Sequence, residues 1–186
     1  TNPNSLNNWT QDPSGSTLLF PPTSFNNEGD VFIIDGETMS LTAIWIVAGE
    51  IRVYGSLQNP DWYRYQAKAL SIYTGTSYMH QTSSNTSEVE KLFIGPSGQL
   101  YLGNAYGGNS IQVDSSCIVD GSLVIAHPMI GTGNFYLNSG GTLQTINREI
   151  STSGNTGNIR VSGIRQYSKQ ANYKYISSVE TYTTGN

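Results

Sequence analysis

The sequence predicts an all-β fold, and specifically a single-stranded parallel β-helix (a β-solenoid) of about seven coils. The first observation is a Gly-polar-Leu pattern that recurs at residues 98–100, 121–123 and 141–143. The second is that glycines extend this spacing along the chain in steps of 19 to 23 residues, at Gly36, Gly55, Gly75, Gly98, Gly121, Gly141 and Gly163. A repeat of this length is typical of solenoids, in which each coil covers the apolar face of its neighbour.

The composition favours strands and turns over helices. Charged residues make up only 12% of the 186 residues, and the chain holds 20 glycines. Ser, Thr, Asn and Tyr must therefore cover much of the surface, and these residues suit strands and turns. The segment nearest to a helical pattern, residues 62–72, is rich in tyrosine, which favours a strand.

Residues 1–29 are predicted to form an irregular N-terminal arm or cap, because they carry four prolines among Asn and Ser residues. The apolar stretch Leu18, Leu19 and Phe20 is expected to pack on the end of the domain. A cap is needed there because an open solenoid end exposes core and strand edges. The alternative is an arm that docks on a neighbouring subunit, which makes these three residues candidates for assembly.

The solenoid domain is predicted to span residues 30–186. It opens with the apolar strand VFII at 31–34 and continues with short strands separated by Gly, Ser, Asn or Pro. Such short strands with frequent corners suit a parallel β-helix, whose turns require positive φ angles. Residues 58–91 are expected to be less regular and to bulge from the coil.

The clearest alternation of apolar and polar residues lies in the segment AGEIRVYGSL, which begins at residue 48. Ile51 and Val53 are predicted to point inward, and Glu50 and Arg52 outward.

Few residues offer catalytic chemistry. A hydrolase triad needs a base beside its nucleophile, and neither His80 nor His127 lies in a recognisable motif. Cys117 is the only cysteine, which excludes an intrachain disulfide, and its apolar surroundings predict a buried residue. We expect no enzymatic activity, and a β-helix lyase or hydrolase is the less favoured alternative.

The acidic residues do not predict a metal or cofactor site. Asp114 and Asp120 are six residues apart, but Asp120 precedes Gly121 and is typical of a turn. A calcium site at Glu28, Asp30 and Asp35 remains an alternative. No spacing indicates zinc, and no Gly-rich loop leads into a helix to bind phosphate.

The best candidates for a ligand contact or a subunit interface are aromatic. They are Trp62, Tyr63, Tyr65, Tyr73 and Tyr78. These residues either pack an irregular segment against the solenoid or line a subunit interface, and the alternative is that they present rings on which a sugar stacks.

The charge distribution narrows the range of partners. The net charge is -4 and no basic stripe is present, so no nucleic-acid partner is expected. No apolar run approaches the roughly 18 residues of a transmembrane helix. Because residue 1 is Thr, we expect a processed N-terminus, and the missing signal peptide does not argue against secretion.

Two stretches resemble repeat regions of large secreted proteins of the Bacteroidetes group. In the first, NNEGDVFIIDGETMSLTAIWIVAGEIRVYGSL, the matching positions are Gly29, Asp30, Phe32, Ile33, Ile34, Gly36, Thr38, Met39, Trp45 and Val47. The second begins at residue 131. Its matching positions are Phe135, Leu137, Ser139, Gly140, Leu143, Ser153, Gly154, Gly157, Asn158, Ile159, Gly163, Arg165, Ala171, Asn172, Tyr173 and Tyr175. Together the two stretches cover residues 30–57 and 131–177.

The resemblance implies a secreted, adhesin-like β-solenoid that is exported through the type IX route. Such proteins are usually longer and carry a C-terminal sorting domain. This chain is therefore expected to be a processed product, a fragment, or a small subunit that acts in many copies.

The sequence thus predicts a non-catalytic extracellular or cell-surface protein with a structural or adhesive role. We expect it to self-assemble end to end into a homopolymeric filament, because a contact that does not close generates an open chain of subunits. The alternative is a carbohydrate-binding module of a secreted adhesin or enzyme, with a glycan or another cell-surface ligand as its partner.

Overall fold

The computed structural model describes residues 1–10, 22–59, 63–79, 86–103, 110–145, 150, 157–176 and 181–183. These residues form fourteen strands and one 3-10 turn, Leu6–Asn8. The strands are β1 Val31–Ile34, β2 Thr38–Ser40, β3 Trp45–Val53, β4 Ser56–Asn59, β5 Tyr65–Met79, β6 Ser87–Leu102, β7 Ile111–Val119, β8 Ser122–Ile125, β9 Met129–Ile130, β10 Asn134–Leu137, β11 Thr142–Thr145, β12 Arg165–Tyr167, β13 Asn172–Ile176 and β14 Thr181–Thr183. No described segment forms a helix of the length and apolar character that crossing a bilayer would require.

The strands stack in three parallel ladders, which we call sides A, B and C. Side A joins β1, β10 and β12 with residues 50–53 of β3, 69–72 of β5, 91–94 of β6 and 116–119 of β7. Side B joins β2, β4, β8, β11 and β13 with the last four residues of β5 and of β6. Side C joins β9 with residues 45–47, 65–67, 87–89 and 111–113. The predicted parallel β-solenoid is therefore confirmed.

The number of coils differs slightly from the expectation of about seven. Five coils carry strands on all three sides. In the sixth coil, side C is reduced to the bridge between Met129 and Ile159, and the seventh coil has described strands only on sides A and B.

The core lies inside the coils, where the inward-pointing residues of successive coils stack in columns. One such column on side A consists of Phe32, Ile51, Leu70, Leu92, Cys117 and Phe135. All six are at most 4% exposed. The predicted inward positions of Ile51 and Val53 are confirmed, as is the burial of Cys117. Burial also raises the pKa of the Cys117 thiol, which keeps it protonated and unreactive.

The predicted glycine ladder is observed at the corner between sides A and B. Gly75 pairs with Gly98 in register, and the next residue, Thr76, donates its N–H to the carbonyl of Gly55. Thr142 makes the same bond to Gly121 further along the ladder. A Cβ on Gly75 would lie 1.9 Å from the Gly55 oxygen, so the backbones approach too closely for any side chain. Glycine is therefore required at Gly75, because any side chain there would clash with the backbone of the preceding coil.

The last position of the predicted ladder is wrong. Asn172 donates its N–H to Gly141, which places Ala171, and not Gly163, at the seventh position of this corner. Gly163 lies instead at the corner that leads into β12, where an added Cβ would approach the carbonyl of Gly133 at 2.4 Å. The spacing of Gly163 from Gly141 matches the repeat although the two residues serve different corners.

The sequence predicts that residues 58–91 bulge from the coil. In the structure, this range includes β5 and the start of β6, which form the longest described strand pair. β5 has 15 residues and β6 has 16, and the two strands stay paired from Gln66 to Met79 with one register shift. Over its described residues this range is therefore part of the regular coil. Residues 60–62 and 80–85 lie outside the described residues, so for them the bulge stays a prediction.

Aromatic side chains from the N-terminal segment lie over the first coil. Trp9 stacks on Trp45 with ring centroids 5.6 Å apart and meets Phe32 edge-on, and Phe25 packs on Phe32 at 5.1 Å. Trp9 is only 7% exposed, and its indole N–H donates to Pro3. Burial of a large side chain of this kind stabilises a fold by about 1.5–3 kcal/mol. Leu18, Leu19 and Phe20 lie outside the described residues.

The ladder corner leads to a testable prediction about Gly75 and Gly36, which share a positive φ of 75° and 67°. Gly75→Ala should destabilise the protein by about 1–3 kcal/mol more than Gly36→Ala, because only the Gly75 Cβ would meet neighbouring backbone. A Cβ added to Gly36 would have no atom within 4 Å, so this variant controls for the φ strain alone. Urea unfolding followed by circular dichroism measures both variants, and equal losses would contradict the steric explanation.

Candidate functional site

A groove runs along the outer face of side A and has a volume of about 500 Å³. It forms because the third coil places two small residues outward, Ala69 and Ser71, between larger residues of the second and fourth coils. The lining residues are Glu28, Gly29, Asp30, Val31, Glu50, Lys68, Ala69, Ser71, Tyr73, Lys91, Leu92, Phe93, Ser116 and Ile118. The groove is thus formed mainly by strand register, and the turn at Glu28 and Gly29 before β1 completes one end of it.

A hydrogen-bonded acid lies in one wall of the groove. Ser71 donates to Glu50 Oε1 at 2.7 Å, and Arg52 donates to Glu50 Oε2 at 2.9 Å. Partial burial opposes ionisation of Glu50, but the hydrogen bonds from Arg52 and Ser71 and the charge of Arg52 outweigh it and leave its pKa below the ordinary value. The carboxylate is therefore fixed in position and ionised at neutral pH.

An aromatic column closes one edge of the groove. The rings of Tyr54 and Tyr73 stack in parallel with centroids 5.0 Å apart, and Phe93 meets Tyr73 at 5.5 Å and a tilt of 63°. Tyr73 and Phe93 both line the groove. The mutual packing restricts the rings, so this edge is an apolar surface that is already ordered.

An ion pair joins the N-terminal segment to the third coil beside the groove. Lys68 Nζ lies 2.8 Å from Glu28 Oε2, and both side chains are exposed. This pairing lowers the pKa of Glu28 and raises the pKa of Lys68. Because the pair is exposed, it orders the rim of the groove more than it stabilises the fold.

The four described members of the predicted aromatic group do not form one site. Tyr65 is 1% exposed, and its hydroxyl lies 3.3 Å from the Met79 sulfur inside the coil. Tyr63 packs against the core, and Tyr78 lies on side B, where it stacks on Tyr101 at 4.9 Å. Of these four, only Tyr73 lines the groove. The fifth candidate, Trp62, lies outside the described residues.

Sequence reasoning misses the residues that make up the rest of the groove. The alternation in β3 predicts an outward position for Glu50 but no role, and no local motif marks Ser71 or Phe93. These two residues lie 21 and 43 positions along the chain from Glu50 and come together with it only through the coil register. One signal could have found Ser71. The alternation of inward and outward residues in β3, carried forward by one coil length, predicts which residues of β5 point outward beside Glu50.

Glu28 and Asp30 both line the groove, but Asp35 and Asp120 lie elsewhere in the structure. Asp30 accepts a hydrogen bond from Asn27, while Asp35 lies beyond the opposite end of β1. Asp120 accepts from Asn138 at the turn between β7 and β8. Within the described ranges, no three His, Cys, Asp or Glu residues are grouped so that they could hold a metal ion.

Only one of the two histidines lies within the described residues. His127 is at the corner after β8, where its ring would meet a Cβ added to Gly103. His80 lies outside the described residues.

Comparison with known proteins found no matching family model, no matching curated protein and no matching solved structure.

The depressed pKa of Glu50 predicts a specific acid sensitivity. Its hydrogen bonds contribute stability that is complete above the ordinary carboxyl pKa of 4.5 and is lost as the pH falls through the lower folded-state pKa. Glu50→Gln should therefore reduce the loss of stability between neutral pH and about pH 3. Unfolding midpoints across this range test the prediction, with Glu37→Gln, an exposed carboxylate on the first coil, as the control. An identical pH dependence for wild type and Glu50→Gln would refute it.

Proposed function

We propose that the protein is a non-catalytic extracellular structural or adhesive subunit that assembles end to end into a filament. The observation that carries the proposal is that side A begins in β1, a strand that has no described strand partner on its outer edge and exposes two apolar side chains. An unpaired strand edge is a ready template for pairing with another chain.

At the first coil, the outer edge of β1 combines free backbone groups with apolar side chains. Asp30 and Ile34 direct their carbonyls to β3, so the alternation of a parallel ladder turns the backbone groups of Val31 and Ile33 to the outer edge. The side chains of Val31 and Ile33 are 41% and 49% exposed. This edge therefore offers both hydrogen bonds and apolar contact.

At the last coil, side A ends in β12, which pairs with β10 on its inner edge. Ile164 accepts a hydrogen bond from Phe135, and Ser168 donates one to Leu137. End-to-end assembly would place the outer edge of β1 against a different surface of the next copy, which is a heterologous contact that does not close.

Side B is covered at both ends of the solenoid and side C at the first end, which directs the proposed contact at the first coil to side A. Thr1 accepts a hydrogen bond from Ser40 on side B, and Phe25 accepts one from Ala48 at the end of side C. At the opposite end, β14 pairs antiparallel with β13 and covers side B. A joint limited to one side buries little area, so assembly is expected to be weak and to depend on concentration.

The absence of catalysis and the extracellular location are part of the same proposal. They are supported by the lack of a catalytic motif in the sequence, by the low charged fraction and by the resemblance to secreted repeat regions. A repetitive rod that joins heterologously forms an open filament, and a stiff filament suits a structural or adhesive role. The alternative remains a carbohydrate-binding module, although the four described members of the predicted aromatic group do not form one cluster.

The assembly proposal predicts that Ile33→Lys prevents filament formation without unfolding the subunit. A lysine at an exposed edge position opposes strand pairing because its charge would have to be desolvated. Negative-stain electron microscopy and sedimentation over a wide concentration range measure the assembly state. The expected result is filaments for wild type and dispersed monomers for the variant.

The matched control is Ile46→Lys, on side C, where the isoleucine is 55% exposed. This variant should assemble like wild type. Dispersed wild-type monomers at every concentration, or equal loss of assembly in both variants, would overturn the proposal.

A further inference from the structure

We infer that the groove on side A is a binding site for a neutral saccharide, held by Tyr73 and Phe93 on one edge and by Glu50, Ser71 and Lys91 across it. This site differs from the aromatic cluster predicted from the sequence, of which it retains only Tyr73. It shares Val31 with the proposed assembly contact, but its other lining residues lie on the outer face of side A and not at the edge of β1.

The groove has the mixed surface that a sugar ring requires. Ala69, Phe93 and Ile118 provide an apolar floor and wall for the C–H face of a pyranose. Ser71, Glu50 and Lys91 provide hydroxyl, carboxylate and ammonium groups for its hydroxyls. A purely apolar groove would favour a lipid or a protein segment, whereas the polar residues here are interspersed with the apolar ones.

The polar groups are held in place before any ligand arrives. Each Glu50 oxygen already accepts one hydrogen bond, from Ser71 or Arg52, and retains a second lone pair that can accept a sugar hydroxyl. Lys91 is exposed and has no ion-pair partner within the described part of the chain. Because the carboxylate is fixed, binding requires little additional ordering of side chains.

The charges along the groove argue for an uncharged ligand. The lining includes three acids, Glu28, Asp30 and Glu50, and two bases, Lys68 and Lys91. Arg52 lies directly beside Glu50 and adds one positive charge. Opposite charges therefore nearly balance, so neither a polyanion nor a polycation gains from long-range attraction. A neutral polyol can both donate to the acids and accept from the lysines.

The dimensions fit a short stretch of a polysaccharide. A volume of about 500 Å³ lies within the range of about 300–1,000 Å³ that is typical of small-ligand sites. The lining extends from Val31 in the first coil to Ser116 and Ile118 in the fifth, which is about 19 Å at ~4.8 Å per coil. An elongated, open groove of this length accepts an internal segment of a chain and does not require a chain end.

Affinity electrophoresis of the full chain in native gels tests the inference. The gels contain a neutral glucan, a xylan or a galactomannan, with pectin and heparin as anionic probes. We expect retardation by at least one neutral polysaccharide. Ala69→Trp, which fills the groove from outside the core, and Phe93→Ala should each weaken the retardation by about tenfold or more. Tyr78→Ala, which removes a stacked tyrosine on side B, should leave it unchanged.

The possible results either support or overturn the inference. Retardation by a neutral polysaccharide that is lost in Ala69→Trp and retained in Tyr78→Ala supports it. Retardation by no neutral polysaccharide, retardation only by the anionic probes, or equal retardation of wild type and Ala69→Trp overturns it. Circular dichroism of each variant confirms that loss of retardation does not reflect unfolding. Filament formation is scored separately with Ile33→Lys, so the two proposals can fail independently.

Discussion

The structure depends on the close backbone approach at the corner between sides A and B. There the carbonyl of one coil accepts a hydrogen bond from the residue that follows the glycine of the next, as Thr76 does with Gly55. Because a Cβ at Gly75 would lie 1.9 Å from that carbonyl, only glycine permits this spacing there. The corner fixes where side B begins in each coil, and this in turn fixes which residues of sides A and B point inward. Core columns, groove and strand edges all follow from that register.

The sequence predicts what depends on local pattern. The alternation around Ile51 and the glycine spacing are sufficient for the solenoid and for the inward face of β3. Prediction fails where similar local patterns occur at different corners of the coil. Gly163, for example, stacks on Gly133 at the corner before side A and not on Gly141 at the corner between sides A and B. It also fails where contacts arise between coils. Glu50 and Ser71 meet because β3 and β5 pair with a register shift after Val47, and sequence spacing alone does not contain that shift.

The same reasoning explains the dispersal of the aromatic candidates. Tyr65, Tyr73 and Tyr78 are close in sequence, but they lie on one long strand that passes along sides C, A and B in turn. Clustering along the chain therefore does not imply clustering in space within a solenoid. The informative neighbours are one coil away, such as Tyr54 and Phe93 for Tyr73. Binding residues on the outer face are therefore expected to be one coil length apart in the sequence, as Tyr54, Tyr73 and Phe93 are.

The central proposal is that the outer edge of β1 pairs with another copy of the chain. Amide hydrogen exchange of the first coil, compared between dilute and concentrated protein, tests this most directly. We predict that the N–H groups of Val31 and Ile33 exchange quickly when dilute and become protected on assembly, while those of Phe32 and Ile34 are protected throughout, because they face β3. Filaments in which Val31 and Ile33 exchange as quickly as in the monomer would contradict the claim.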